Sequence, residues 1–158
     1  MNKKKIIKIT AILILVGALI GGGIVYYLFN MPHRNIAASK TDVVISANEV
    51  VKEFLDNPAS ANDKYLDEEG ESKILEISGI ISAINKDFDG NAEVILKSNE
   101  SKAGVSCTFT AETNATTNNL TVGQTISIKG VIRSGASFDA DLDMYENVIV
   151  EKCSLSNK

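Results

Sequence analysis

The chain contains no tryptophan, one histidine, two cysteines and two prolines among 158 residues. Each shortage closes off a class of function. The single histidine, His33, directly follows a long apolar run, so the folded part has no imidazole for a Ser-His-Asp triad or a Cys-His nucleophile pair. Cys107 and Cys153 have no clustered histidines and do not make a zinc site. Aromatics make up only 6%, so a core must be built from Val, Ile and Leu with a few Phe and Tyr. The only glycine run, Gly21-Gly22-Gly23, lies inside the apolar run and is no phosphate-binding loop. Ser72-Lys73 and Ser101-Lys102 are adjacent pairs whose side chains diverge on a strand, so neither forms a dyad. Together these shortages lead us to expect a protein that is not an enzyme.

Charge is distributed unevenly. Residues 1–34 carry Lys3, Lys4, Lys5, Lys8 and Arg34 and no acid. The remainder holds 11 bases against all 20 acids, a net charge of −9. Phosphate backbones are bound by clustered Lys and Arg, so the acidic part disfavours nucleic acid as a partner.

Ile6 to Phe29 is almost wholly apolar. At about 1.5 Å per residue, roughly 20 such residues span a bilayer core. Three lysines precede it, and the positive-inside rule then places residues 1–5 in the cytoplasm as a basic tail. A cleaved signal peptide has a shorter apolar region ending in small residues. This run ends in Tyr26-Tyr27-Leu28-Phe29, with no cysteine after it for lipid modification. We therefore expect residues 6–29 to be an uncleaved, single-pass anchor in the inner membrane, with the domain in the periplasm. Gly17 and Gly21 form a G-x-x-x-G spacing, which fits either close helix pairing or the ordinary abundance of glycine in membrane helices.

Residues 30–45 read as a linker, broken by Pro32. Ser46 with Glu49 predicts a capping box, with Ile45 and Val50 as its hydrophobic staple. Val50, Val51, Phe54 and Leu55 give one helical stripe that ends at Asn57-Pro58. A short helical turn is expected over 59–66. Strands then follow over 74–84, with a bend or bulge at Gly79, and over 92–97, 104–110, 125–133 and 147–155. Cys107 is expected to face inward with Val105 and Phe109. In the fourth strand Ile126, Ile128 and Val131 are expected inward. The stretches 111–120 and 134–143 read as polar connections. A long bent first strand, five strands in all and a connection between the third and fourth match the oligonucleotide/oligosaccharide-binding barrel, the OB-fold. The domain is placed at 46–158, mainly β, with a short helical segment before the barrel.

The ordered set His33-Arg34, Ala47 to Phe54, Ala61-Asn62-Asp63-Lys64-Tyr65-Leu66, Ile77-Ser78-Gly79-Ile80, Gly104-Val105-Ser106-Cys107, Gly123 to Gly130 and Cys153 resembles the tRNA-anti-like OB-fold family of small bacterial membrane-anchored proteins. The resemblance spans nearly the whole part after the apolar run. It implies kinship in fold with anticodon-binding domains and brings no activity with it.

Two constellations remain. In an OB barrel Cys107 and Cys153 fall on neighbouring third and fifth strands. They are read either as a disulfide, permitted outside the cytoplasm, or as two buried free thiols. Asp139, Asp141 and Asp143 form a D-x-D-x-D run, but Met144 and Val150 occupy the sixth and twelfth positions, which excludes an EF-hand. With Asp87 and Asp89 from the loop between strands one and two, these carboxylates could converge on a hard cation such as Ca²⁺, or else remain solvated acidic loops. No other cofactor is implied. We expect a non-catalytic binding or interaction module for a protein, peptide or glycan of the envelope. The alternatives are nucleic-acid binding by fold analogy and a carboxylate-dependent envelope hydrolase.

Overall fold

The computed structural model describes residues 3–29, 35–67 and 72–156, and the chain divides into two compact units, 1–34 and 35–158. In the first unit, α1 runs Lys3–Phe29 and includes an 18-residue segment, Ile12–Phe29, long and apolar enough to cross a membrane. The helix already includes Lys3 to Lys5, which the sequence reading assigned to a separate tail. Pro32 and His33-Arg34 lie outside the described residues.

The second unit is a closed barrel. Its strands are β1 (Val43–Ser46), β2 (Ile74–Lys86), β3 (Ala92–Leu96), β4 (Val105–Phe109), β5 (Thr125–Ser134), β6 (Ser137–Asp139), β7 (Met144–Glu146) and β8 (Val148–Leu155). β2, β3 and β4 form an antiparallel meander, β4 pairs in parallel with β8, β8 pairs antiparallel with β5, and β5 returns to β2. That closure leaves the five barrel strands without a free edge, the usual hazard of a small sheet.

β2 is long because it serves two partners. Residues 74–80 pair with β5 and residues 81–86 with β3, so the switch falls next to Gly79. The irregularity expected at Gly79 comes slightly later, between Ile81 and Ala83. β1 is the main departure from expectation. It lies parallel to residues 75–78 of β2, inside the stretch read as linker. Asp42 secures its start, its amide donating to the Ile74 carbonyl and its carboxylate accepting from the Ile74 amide. Lys129 Nζ donates to the carbonyls of Ala37 and Ser39, tying the preceding turn to β5. A four-residue strand this short shows no period that would mark it in the sequence.

α2 (Ala47–Asp56) starts where the capping box places it. Ser46 Oγ accepts from the Glu49 amide at 3.2 Å, and Glu49 accepts from the Ser46 amide at 3.0 Å. Those hydrogen bonds, the Ser46 hydroxyl first, hold the Glu49 carboxyl below its ordinary value. Ser46→Ala should cost about 1 kcal/mol of stability, read as a lower urea midpoint. Val50, Val51 and Phe54 pack into the core and Ile45 lies half-buried against it. Asn57 ends α2 and its side chain caps α3 (Pro58–Tyr65), with Pro58 in the first turn.

Glu53 joins the two helices. Its carboxylate accepts from Lys64 Nζ at 2.8 Å and from the hydroxyl of buried Tyr65 at 2.8 Å. The hydrogen bond from Lys64 is the main reason its carboxyl sits below the ordinary 4.5. A depressed folded-state pKa contributes stability above the unfolded value, and that stability is lost as pH falls through the folded value. Glu53 is partly exposed, so screening keeps the contribution to about 0.5 kcal/mol. Glu53→Gln should therefore lower stability at pH 7 and shrink the fall between pH 7 and pH 3, as checked by urea unfolding at both.

The core holds Leu75, Ile77, Val94, Leu96, Phe109, Ile128, Val148 and Val150. In β5 the inward residues are Ile128, Gly130 and Ile132, while Val131 is only half-buried. Unbroken alternation from Ile128 through Gly130 to Ile132 turns Val131 outward, against the sequence-based expectation. The connection after β4 contains a 3₁₀ turn, Asn114–Thr117, and the loop after β5 holds the β6–β7 hairpin; neither was visible as periodic structure.

Candidate ligand groove

The five predicted carboxylates do not converge. β2 and β5 run antiparallel side by side, so the loops that follow them lie at opposite ends of that strand pair. Asp87 and Asp89 sit in the loop after β2, and Asp139, Asp141 and Asp143 in the hairpin after β5. Among the described residues no group of three or more His, Cys, Asp or Glu could hold a metal ion. Several of the carboxylates serve their own turns. Asp87 accepts from the amides of Asp89 and Asn91 and from the Asn91 side chain. Slight desolvation pulls its carboxyl upward, but these hydrogen bonds outweigh it and hold the group below its ordinary value. Asp139 accepts from the amides of Asp141 and Leu142. Asp143 takes a left-handed backbone with φ 50°, which lets the hairpin turn over the four residues 140–143.

What the hairpin builds is a groove. Gly135 and Ala136 bring the chain down onto the Phe54 ring; a Cβ on Gly135 would stand 2.0 Å from it. The β6–β7 hairpin then stands beside α2, and the loop 98–102 after β3 completes the walls. The groove encloses about 790 Å³ between Val51, Leu55 and Pro58 on the helical side and Phe138 and Tyr145 on the hairpin side. Phe138 and Tyr145 are partners across the hairpin register, with rings 4.8 Å apart and tilted by 50°. Lys102 Nζ stands 5.3 Å from the Tyr145 ring centre, a cation–π distance. Ser101 donates to Asn48 Oδ1 at 2.7 Å, fixing the loop on α2. Lys52 and Lys102 balance Asp56 and Glu100 around the lining. The lining has serine hydroxyls but no histidine or cysteine to activate one.

The groove is not apparent from the sequence, because 134–143 shows no strand period and reads as a polar connection. A signal was present: Phe138 and Tyr145 stand at the two ends of a short acidic run, and Gly135-Ala136 are small residues two positions before an aromatic. The barrel face that OB-folds commonly use lies on β3 and β4. Its outward residues are Glu93, Ile95, Ser106 and Thr108, with Ser106 donating to Glu93 at 2.5 Å. These four include no aromatic platform and no base.

Both predicted cysteines lie where the strand order places them. They are buried as free thiols, and Cys153 Sγ donates to the Val150 carbonyl at 3.5 Å.

A family model described as tRNA_anti-like matches residues 1–142. No curated protein matches the chain. Among solved structures, the chain is similar to a lipoprotein from Klebsiella pneumoniae subsp. pneumoniae MGH 78578 that is provisionally described as nucleic acid-binding. The match has 19% identity and a TM-score of 0.52, and covers 80% of this chain and 100% of that one. At that identity the likeness concerns the fold.

Proposed function

Because the chain belongs to the tRNA_anti-like family, an OB-fold family, we propose that it is a membrane-anchored, extracytoplasmic and non-catalytic binding module that seats a peptide segment of a partner protein in the α2–hairpin groove. The observation that carries this reading is the groove itself, with its apolar floor of Val51 and Leu55, the Phe138–Tyr145 pair and the balanced rim charges. Such a lining favours apolar side chains flanked by polar backbone. A glycan would call for several uncommitted planar polar groups, and Asn48 is already engaged by Ser101. The lysines in the first turns of α1, ahead of its apolar stretch, favour a cytoplasmic N-terminus, an inner-membrane anchor and a periplasmic barrel.

Nucleic acid fits this chain poorly, although the similar lipoprotein is described in those terms. Residues 35–158 carry the net negative charge, and the β3–β4 face offers Glu93 where a phosphate-binding surface needs bases.

The full-length chain, solubilised from membranes, should retain a protein partner that an anchor-only chain of residues 1–34 does not. Phe138 is half-exposed, so Phe138→Ala should leave the fold intact and weaken the partner about tenfold or more, the loss expected for an aromatic anchor. Equal recovery of the same proteins on the anchor alone would contradict the proposal.

A further inference from the structure

Cys107 and Cys153 occupy a place that three strands are shaped to make. A regular β8 would alternate, and after inward Val150 the next inward residue would be 152. Instead Glu151 and Lys152 are both exposed and Cys153 is fully buried. Against β4, the two steps from Cys107 to Phe109 face three steps from Val150 to Cys153. The extra residue is absorbed at Lys152, which takes φ 55°, a left-handed conformation unfavourable for a non-glycine residue. This bulge turns the Cys153 side chain inward toward Cys107. On the other side, β5 shifts register at the same level and places Gly130 there. A Cβ on Gly130 would stand 2.9 Å from the Cys153 sulfur and 2.5 Å from Val150 Cγ1, so only glycine leaves room for the thiol. A strained bulge and an obligatory glycine thus seat the Cys153 thiol in the same core that buries Cys107.

We infer that Cys107 and Cys153 are joined by a disulfide in the exported domain, crossing the parallel β4–β8 pair. This rests on the extracytoplasmic placement proposed above. Each cysteine gives up its S–H hydrogen as one S–S bond forms. Two protons and two electrons leave, and the electrons reduce a disulfide-donating oxidant of the envelope to its dithiol. The route is exchange: one thiolate attacks the donor disulfide, and the second displaces the donor from the mixed disulfide. Burial pushes the Cys153 thiol well up in the finished barrel, which disfavours the attacking thiolate. The bond therefore forms while β8 is still undocked and is sealed in when the barrel closes.

The test uses the full-length chain in its own membranes, acid-quenched, denatured and treated with a mass-tagged maleimide. The expected result is no tag without reductant and two tags after reduction. The purified oxidised protein should melt about 10 °C higher than its reduced form, and the double variant Cys107→Ser, Cys153→Ser should be indifferent to reductant. Two tags without reductant would overturn the disulfide. Because labelling follows denaturation, this count does not depend on how well any variant folds. Placement is read separately by Asn99→Cys in the double-serine background, since Asn99 is exposed. Labelling of that residue by a membrane-impermeant maleimide on intact spheroplasts, together with two free native thiols, would reject the disulfide alone. No labelling together with free thiols would reject the placement as well.

Discussion

Phe54→Ala should cost the domain about 3–5 kcal/mol, and Gly135→Ala about 2 kcal/mol or more, yet the two together should cost less than their sum. Phe54 is 1% exposed, and its ring lies 5.9 Å from that of Tyr65. Truncating it removes a large buried surface and leaves a cavity that the barrel end cannot fill. Gly135 fails for the opposite reason. Its Cβ would lie 2.0 Å from Cδ1 and 2.3 Å from Cε1 of the same ring, and no rotamer change of a ring this buried relieves that overlap without moving α2 or the hairpin. Its backbone is not left-handed, so alanine is penalised by contact alone. Removing the ring removes the contact, and a methyl at 135 then partly fills the space. A double-mutant cycle by urea unfolding should show a coupling of more than about 1 kcal/mol in the compensating direction. Simple additivity would mean that the hairpin does not rest on Phe54, and the groove described here would lose its wall.

The second large effect concerns where the domain begins. A chain of residues 35–158 should be soluble and melt as the full-length protein does. A chain starting at Ala47 should melt at least 10 °C lower or fail to fold. The shorter chain loses β1 and its pairing to residues 75–78, the Asp42 contacts to Ile74, the turn held by Lys129 and the Ser46 cap. Several lost hydrogen bonds at about 1 kcal/mol each, together with the cap, amount to a large part of a small domain's stability. Thermal melts of the two chains decide it. Equal melting temperatures would mean that β1 decorates the barrel without supporting it.

Most of the barrel was legible because its strands alternate or run apolar over five or more residues. Gly104 to Phe109 shows one inward set, and Ser46 with Glu49 marks a helix start by chemistry alone. β1 escaped because four residues, Val43 to Ser46, are too few to show a period, and what fixes them is pairing to residues more than 30 positions later. Val131 faces outward because β5 keeps its period through Ile128, Gly130 and Ile132, and a glycine at the middle inward position hides that period from a reading of apolar residues. The Lys152 bulge was hidden because a shift set by pairing to a neighbouring strand leaves no mark in the strand that carries it. The acidic loops are a different case. Strand directions alone separate the 87–91 loop from the 135–147 loop, so the alternating order of the barrel already contained that correction. The groove was least legible, because it arises between α2, the 98–102 loop and the hairpin, three segments that only the fold brings together.

The central claim is that this OB-fold domain binds through the α2–hairpin groove and not through the β3–β4 face. Its most direct test is a photo-cross-linking amino acid placed in turn at Phe138 and at Thr108 of the full-length chain in living cells. The account predicts a discrete, nuclease-resistant protein adduct from position 138 and none from 108. Adducts from position 108 that nuclease removes, with none from 138, would contradict it and make the outer face of the barrel a nucleic-acid surface.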